Sequence, residues 1–257
     1  MTSCVALIPA RYGSTRLPAK ALLRDTGKYL IQHVYEQVAA ARTPTEVIVC
    51  TDDERIMDAV GAFGGKAVMT SAEHQSGSDR VAEVAAGLDA ELILNVQGDE
   101  PGVSPVLLDR LVDALAADRT APIYTAGVPI KDRAVFDDPN AVKVVADGSG
   151  TDGGGRALYF SRSPIPHGAL SGAGRSEPLK HLGVYAYRRE ALLAFSALRP
   201  VALERTERLE QLRALCHGMA IGVIVTDDDS PGIDTAEDYA AFVKSYTLAR
   251  GRPGDRQ

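Results

Sequence analysis

CVALIPARYGSTRLPAK, residues 4–20, joins an apolar run directly to a loop rich in basic side chains. The apolar run (4–10) is short and is broken by a proline, as is typical of a strand buried on both faces of a sheet. Arg11, Arg16 and Lys20 then follow close together among small residues and prolines. Guanidinium and ammonium groups bind phosphate and carboxylate oxygens, so the stretch predicts a buried strand that ends in an anion site.

The same order of strand and helix repeats through the first half of the chain. Apolar runs predict strands at EVIVCTDD (46–53), KAVMT (66–70) and ELILNVQGDE (91–100). Apolar residues at helical spacing predict helices at KYLIQHVYEQVAAA (28–41), ERIMDAVGAFG (54–64), DRVAEVAAGL (79–88) and PVLLDRLVDALAA (105–117). This alternation is typical of an α/β protein whose mostly parallel sheet carries helices on both faces.

The second half of the chain is richer in strands. Strands are predicted at APIYTAGVPI (121–130), AVKVVAD (141–147), RALYFSR (156–162), HLGVYAYRR (181–189) and AIGVIVTD (220–227), with helices at 202–215 and 235–249 and a Pro/Gly/Ser loop at 162–178. We expect these strands to extend the first sheet and to carry an inserted β-rich lobe at about 122–200. Residues 1–248 are expected to form one domain, and 249–257 a disordered tail.

Composition excludes several classes of protein. The chain of 257 residues has a formal net charge of −6, is 5% aromatic and contains no Trp, which argues against a nucleic-acid or membrane binder. Cys4, Cys50 and Cys216 lie far apart without CxxC spacing, so neither a disulfide framework nor a cysteine zinc site is indicated. No apolar run has the length of a signal peptide or of a membrane span, and a cytoplasmic protein is expected.

Four motifs follow predicted strands, where ligands bind in open parallel sheets. They are IPARYGSTRLPAK (8–20), TSAEHQSGSDR (70–80), QGDEP (97–101) and GIDTAED (232–238). Because the carboxyl ends of parallel strands share one edge of the sheet, we expect these loops to meet there.

The first and the last two of these loops together predict a site for a triphosphate and Mg²⁺. The basic loop matches neither GxxxxGK[ST] nor GxGxxG, and by itself it is equally compatible with solvated surface charges. Asp99 and Asp234 supply the one or two carboxylates that Mg²⁺ uses beside phosphate oxygens and water. Asp234 can also be read as a helix N-cap, and the acidic run 227–229 as a solvated loop.

HQSGSDR (74–80) combines small hydroxyl residues with a glycine ahead of a helix. Ser76, Gly77 and Arg80 could bind a base edge or a ribose. The alternative is an ordinary loop in which Ser78 caps the helix.

With these motifs in order along the chain, the sequence resembles the CMP-Kdo synthetases (3-deoxy-manno-octulosonate cytidylyltransferases). The matching segments are IPARYGSTRLPAK, TDDERI, HQSGSDR, LNVQGDEP, PNAVKVV, LYFSR, PIP, HLGVYAYR, LEQLRAL and GIDTAED. The resemblance implies a Rossmann-like nucleotidyltransferase fold with a β-rich acceptor and dimerisation lobe. It also implies CTP, Mg²⁺, a small anionic acceptor and a homodimer, whose interface we expect at 156–189.

The resemblance also implies a role for individual residues. The implied catalytic residues are Arg11, Arg16, Lys20 and Asp99, and the implied CTP-binding residues are Ala10, Arg11, Ser14, Arg16, Lys20, Ser76, Gly77 and Arg80. The implied acceptor-binding residues are Gln97, Arg162, His181, Tyr185, Glu210 and Gln211. The implied Mg²⁺ ligands are Asp99 and Asp234. Without the resemblance, the preferred interpretation makes His181 and Tyr185 structural strand residues, and Glu210 and Gln211 part of a solvated helix face.

The departures from the family pattern lie on the acceptor side. PIPHGALSG and VALERTERLEQLR differ from the usual segments, whereas the CTP side is nearly intact. The resemblance over nearly the whole chain makes Kdo the expected acceptor, whereas the changed acceptor-side segments favour the alternative, a phosphonate such as phosphonoformate or another 2-keto sugar acid. A nucleotide-binding protein without catalysis is a further alternative, which the retention of both candidate metal ligands disfavours.

Overall fold

The computed structural model of the chain describes residues 3–14, 16–150, 152–170 and 177–250. Its strands are β1 (Cys4–Ala10), β2 (Glu46–Thr51), β3 (Lys66–Met69), β4 (Leu92–Asn95), β5 (Ile123–Pro129), β6 (Lys143–Ala146), β7 (Gly155–Ser161), β8 (Leu179–Arg188) and β9 (Ile221–Val225). Its helices are α1 (Leu30–Ala39), α2 (Glu54–Ala62), α3 (Gly77–Ala86), α4 (Pro105–Ala117), α5 (Arg133–Asp137), α6 (Arg189–Ser196), α7 (Ala202–Glu207), α8 (Gln211–Cys216) and α9 (Ala236–Arg250), with a 3₁₀ turn at Lys20–Leu22. No helix in these ranges is both long and apolar enough to cross a bilayer.

The strands form one mixed sheet in the order β3-β2-β1-β4-β8-β5-β9-β7-β6. The first four are parallel, as the repeated strand–helix order predicts. β8 then lies antiparallel between β4 and β5, and it also pairs through its first residues with β6. The pairings β8–β5–β9–β7–β6–β8 thus close a ring of strands, and β8 joins this ring to the parallel half.

Helices cover both faces of the sheet, which confirms the predicted α/β class. The side chains of β1 alternate between two apolar clusters, with Ala6 and Ile8 in one and Val5 and Leu7 in the other. The first cluster is completed by α1, α2 and α4, and the second by α3, α6 and α8. β1 is therefore buried along its whole length, and its carboxyl end is held rigidly below the basic loop.

The stretch 202–215, predicted as one helical element, is two helices. Arg208 adopts a left-handed backbone conformation with φ of 54° and ends α7. No Gly or Pro marks this break in the sequence. Tertiary contacts impose it, since the carboxylate of Glu207 accepts a hydrogen bond from the backbone N–H of Arg162 and Leu209 turns into the core. The break leaves Glu210 and Gln211 at the start of α8.

Other boundaries also differ from the sequence predictions. β4 ends at Asn95, before the QGDEP motif that the predicted strand included. α6 follows β8 directly where no helix was predicted, and α9 continues through 249 and 250. The remaining tail, 251–257, and residues 171–176 of the predicted Pro/Gly/Ser loop lie outside the described residues.

Candidate active site

The four motif loops meet at the carboxyl ends of the parallel strands and enclose a cavity of about 310 Å³. Its lining comprises Pro9, Ala10, Arg11, Ser14, Arg16, Lys20, Ala21, His74, Gln75, Ser76, Gly77, Arg80, Gln97, Gly98, Asp99 and Asp234. Every residue expected to bind nucleotide or metal is in this set, although they come from four distant parts of the chain. We call it the nucleotide cavity.

Lys20 lies at the centre of the charged groups in the nucleotide cavity. Its Nζ lies 2.5 Å from Asp99 Oδ2 and 3.2 Å from Asp234 Oδ1, and it donates to the carbonyl of Ile233 at 3.0 Å. The N–H of Ile233 in turn donates to the carbonyl of Asp99 at 2.8 Å, which ties the loop after β4 to the loop after β9. A single ammonium group therefore draws together two carboxylates that are far apart in sequence.

The donor set of this cluster fits Mg²⁺. No group of three or more His, Cys, Asp or Glu side chains arranged to hold a metal occurs within the described residues. Asp99 and Asp234 both approach Lys20, and Arg16 Nη2 lies 3.0 Å from Asp234 Oδ2. Mg²⁺ is commonly bound by one or two carboxylates together with substrate phosphates and water, so two convergent carboxylates in a phosphate-sized basic cavity suit it.

The N-terminus of α3 opens onto the same cavity. Ser76 caps the helix, its Oγ accepting a hydrogen bond from the N–H of Asp79 at 3.1 Å, so the alternative cap at Ser78 is wrong. A Cβ at Gly77 would lie 3.2 Å from Pro9 Cγ, so glycine lets the helix start close against the end of β1. The unpaired N–H groups of a helix N-terminus favour an anionic or strongly polar ligand at this wall.

Arg80 lines the nucleotide cavity, but its charge is balanced inside the protein. The residue is only 3% exposed, and Nη2 lies 2.6 Å from Asp52 Oδ2 while Nη1 donates to Thr70 Oγ1. Arg80 thus joins α3 to the loops after β2 and β3. Arg11 and Arg16, in contrast, are exposed at the cavity mouth.

A second cavity of about 200 Å³ adjoins the first, and we call it the acceptor cavity. Its lining comprises Ser78, Asn95, Gln97, His181, Gly183, Tyr185, Tyr187, Phe195, Leu209, Glu210 and Gln211. Gln97 lines both cavities, so the two are neighbours. Five of the six residues expected to bind the acceptor lie here.

Arg162 is the expected acceptor residue that the structure places elsewhere. Its Nε donates to the carbonyl of Glu207 and its Nη1 to that of Pro139, both at 2.9 Å. Its guanidinium therefore supports the base of the 162–178 loop and does not line the acceptor cavity.

The polar groups of the acceptor cavity are mostly neutral. Burial lowers the pKa of His181 to about 3, and it raises the pKa of Tyr185 well above its ordinary value. Thr125 Oγ1 lies 3.0 Å from His181 Nε2 and also reaches the carbonyls of Leu182 and Val184. Because its only proton goes to a carbonyl, Thr125 Oγ1 accepts from a protonated Nε2, which leaves the Nδ1 of His181 as an acceptor.

Glu210 connects the acceptor cavity to the nucleotide side. Ser78 Oγ, on α3, donates to Glu210 Oε2 at 2.6 Å, and Arg213 Nη2 lies 3.3 Å from Oε1. Burial raises the pKa of Glu210. The helix that begins in the nucleotide cavity thus holds the acidic side chain of the acceptor cavity.

The family model for cytidylyltransferases matches residues 5–221 of the chain. The chain belongs to the cytidylyltransferase family. A 3-deoxy-manno-octulosonate cytidylyltransferase of Geobacter metallireducens is 49% identical over 94% of this chain and 97% of the relative. That of Geotalea daltonii is 50% identical over 91% and 94%. A solved CMP:2-keto-3-deoxy-manno-octonic acid synthetase complexed with CTP superposes with a TM-score of 0.86 at 42% identity, covering 97% of this chain and 99% of that one.

Sequence reasoning missed several residues that line the acceptor cavity of this cytidylyltransferase. They are Ser78, Asn95, Gly183, Tyr187, Phe195 and Leu209. Asn95 and Tyr187 lie within segments correctly predicted as strands, where only the alternation of faces would have separated them from core residues. Phe195 lies on α6, which was not predicted at all. The signal that could have found Asn95 is a polar residue at the end of an otherwise apolar run.

Proposed function

We propose that this cytidylyltransferase transfers CMP from CTP to 3-deoxy-manno-octulosonate (Kdo) and releases pyrophosphate. The observation that carries the proposal is the pair of cavities that meet at Gln97, one basic and the other lined mostly by neutral polar and apolar side chains. Such a pair suits two substrates that must be brought together for transfer. The CTP in the similar solved synthetase and the names of the similar relatives support this choice of substrates.

The reaction needs positioning and charge stabilisation more than covalent chemistry by the protein. A hydroxyl oxygen of the acceptor attacks the α-phosphorus of CTP, the bond from that phosphorus to the bridging oxygen breaks, and pyrophosphate leaves while the hydroxyl proton is released. Arg11, Arg16 and Lys20 line the nucleotide cavity and offset the charge that grows on the leaving pyrophosphate. The end of α3, with Ser76 and Gly77, suits the cytidine.

Mg²⁺ is the metal that we propose for this site. Asp99 and Asp234 would hold it, and when bound it supplies positive charge to the phosphate oxygens. In the structure Lys20 pairs with both carboxylates and Arg16 pairs with Asp234, so these two cations offset the negative charge that a triphosphate would otherwise meet.

The lining of the acceptor cavity favours a polyhydroxylated acid over a small phosphonate. An imidazole, two phenols, amides and one carboxylate form hydrogen bonds with hydroxyl groups, and among the described residues no Lys or Arg lines this cavity to neutralise a phosphonate. The acid group of the acceptor would then face the basic side at Gln97. Leu158 on β7 is 58% exposed, and we propose that this part of 156–189 forms a homodimer interface, which light scattering would test.

Pyrophosphate release from CTP and Mg²⁺ tests the proposed reaction directly. Kdo, another 2-keto sugar acid and phosphonoformate are offered separately as acceptors. Turnover with Kdo at a kcat/KM at least tenfold above the others is the expected result. Preference for a different acid would keep the cytidylyl transfer and change the acceptor. Binding of CTP without release for any acceptor would favour a non-catalytic nucleotide-binding protein.

A further inference from the structure

Asn95 has a buried polar atom that the protein leaves without a partner. The residue ends β4, is 1% exposed, and its side-chain Oδ1 forms no hydrogen bond with any described residue. Buried side-chain oxygens are nearly always paired, because leaving one unpaired costs much of its hydration free energy. An unpaired amide oxygen at this position therefore needs a reason.

The place of Asn95 supplies that reason. It lines the acceptor cavity and does not line the nucleotide cavity, whereas Gln97, two residues further along the chain, lines both. Asn95 therefore lies on the acceptor side of the boundary that Gln97 marks. It is paired across the sheet with Tyr185, which lines the same cavity.

None of the described side chains that line the acceptor cavity forms a hydrogen bond with Asn95 Oδ1. Glu210 is already bonded to Ser78, and burial keeps Tyr185 protonated at neutral pH. Tyr187, Phe195 and Leu209 present mostly apolar surface. An unpaired amide oxygen on a residue that lines such a space is complementary to a donor that arrives with a ligand, and the only donors on a sugar acid at neutral pH are its hydroxyl groups.

Two other side-chain oxygens are equally buried and unpaired. They are Thr43 Oγ1 and Ser230 Oγ, and neither residue lines either cavity. Of these three atoms in the described part of the chain, only the oxygen of Asn95 belongs to a residue that lines the nucleotide cavity or the acceptor cavity. Thr43 and Ser230 thus offer controls in which a similar atom is removed far from the substrates.

We propose that Asn95 Oδ1 accepts a hydrogen bond from a hydroxyl group of the acceptor, and that Asn95 thereby selects polyhydroxylated acids. The inference rests on the proposed function, since it names how that acceptor is recognised. The oxygen that Asn95 binds is not the one that attacks phosphorus, because Asn95 lies outside the nucleotide cavity. Asn95 is accordingly a specificity residue and not a catalytic one.

Steady-state kinetics of Asn95→Leu test this assignment. Leucine keeps the approximate volume and removes the oxygen, so the KM for Kdo is expected to rise about 10- to 100-fold while the KM for CTP stays within about twofold. The melting temperature should stay equal or rise, because an unpaired polar group has left the interior. Thr43→Val removes its hydroxyl with the same shape and should leave both KM values unchanged.

Monodeoxy analogues of Kdo give a second measurement that needs no folded variant. For the wild-type protein, the KM for one of these analogues should exceed the KM for Kdo by the same factor by which Asn95→Leu raises the KM for Kdo. For Asn95→Leu, the KM for that analogue should equal the KM for Kdo, because the side-chain oxygen that binds the missing hydroxyl is already absent. Monodeoxy analogues that all bind the wild-type protein as Kdo does would overturn the inference.

The outcomes separate this inference from the proposed function. Wild-type turnover of Kdo with an unchanged acceptor KM in Asn95→Leu overturns the role of Asn95 alone. If the wild type prefers a different hydroxylated acid and Asn95→Leu weakens that preference, Kdo is not the acceptor but the role of Asn95 is supported. Preference of the wild type for phosphonoformate, which has no sugar hydroxyl, overturns both.

Discussion

The nucleotide cavity and the acceptor cavity lie side by side but are built in different ways. The first is basic and open, with Arg11 and Arg16 at its mouth, and its residues come from loops at the ends of strands. The second is smaller and mostly neutral, and most of its residues come from within β4 and β8, from α6 and from the break before α8. Charge thus binds a substrate that is recognised by its phosphates, whereas shape and hydrogen bonds suit one that is recognised by its hydroxyls.

The largest effect is expected from removing the charge at the centre of the nucleotide cavity. Lys20→Met should lower kcat/KM by about 10²- to 10³-fold, because a preorganised positive charge next to the phosphates is lost and Asp99 and Asp234 are left facing each other. Pyrophosphate release measures the change. Lys28→Met is the matched control, since the ammonium group of Lys28 pairs with Glu36 at the surface, outside the nucleotide cavity. A loss of less than tenfold would mean that Lys20 merely holds the loops together.

Arg80 tests whether every cation that lines the nucleotide cavity serves the nucleotide. Arg80→Met should lower the free energy of unfolding by about 3 kcal/mol, because Asp52 and Thr70 lose a buried partner. Arg16→Met should change that free energy by less than about 1 kcal/mol, since Arg16 is 63% exposed, and should lower kcat/KM instead. Urea unfolding and kinetics of both variants separate the two roles. Equal losses of stability would remove the distinction between them.

A smaller effect is expected from the neutral imidazole in the acceptor cavity. Burial lowers the pKa of His181 from 6.5 to about 3, so below pH 6.5 the unfolded chain binds a proton that the folded chain does not. Stability from this group is therefore present above pH 6.5 and is lost as the pH falls toward 3. Relative to His181→Gln, the wild-type protein should lose about 1.4 kcal/mol of unfolding free energy between pH 7.5 and 5.5. Parallel urea curves at the two pH values measure it, and equal losses in both proteins would show that folding does not lower the pKa of His181.

The contrast between the cavities also explains what could be predicted from the sequence. The four motif loops were recognisable because each puts charged or small residues directly after an apolar run, and the parallel half of the sheet followed from alternation alone. The partnership of Ser78 with Glu210 joins residues 132 positions apart, and nothing local indicates it. Nor does the local sequence indicate the partner of Arg80. The motif around it suggests a ligand-binding arginine, whereas the structure pairs it with Asp52.

Arg162 and Asn95 both show that the sequence does not reveal whether a polar side chain is free to bind a ligand. An arginine is the natural partner of an acid, yet the guanidinium of Arg162 is occupied by two backbone carbonyls. An asparagine at the end of an apolar run draws little attention, yet its oxygen is the unpaired one in the acceptor cavity. Whether a polar group is available depends on its neighbours in space, and sequence motifs carry that information only for groups that are charged and close together in the chain.

The smallest effect concerns the backbone that sets the edge of the acceptor cavity. Arg208 holds a left-handed conformation, with φ of 54°, that costs an L-amino acid free energy and costs glycine almost none. Arg208→Gly should therefore raise the free energy of unfolding by about 0.5 kcal/mol, the relief of strain exceeding the added freedom of glycine in the unfolded chain. Arg205→Gly, inside α7, should lower it by about 1 kcal/mol.

Kinetics of the same Arg208 variant show whether the break is a fixed part of the site. If tertiary contacts of Glu207 and Leu209 impose the turn, the glycine variant keeps the wild-type KM for the acceptor, because Glu210 and Gln211 stay where they are. If the arginine itself sets the angle between α7 and α8, that KM rises while the KM for CTP does not. A higher KM for the acceptor alone would show that the two cavities bind their substrates independently. A higher KM for both substrates would mean that the Ser78–Glu210 hydrogen bond couples the two cavities.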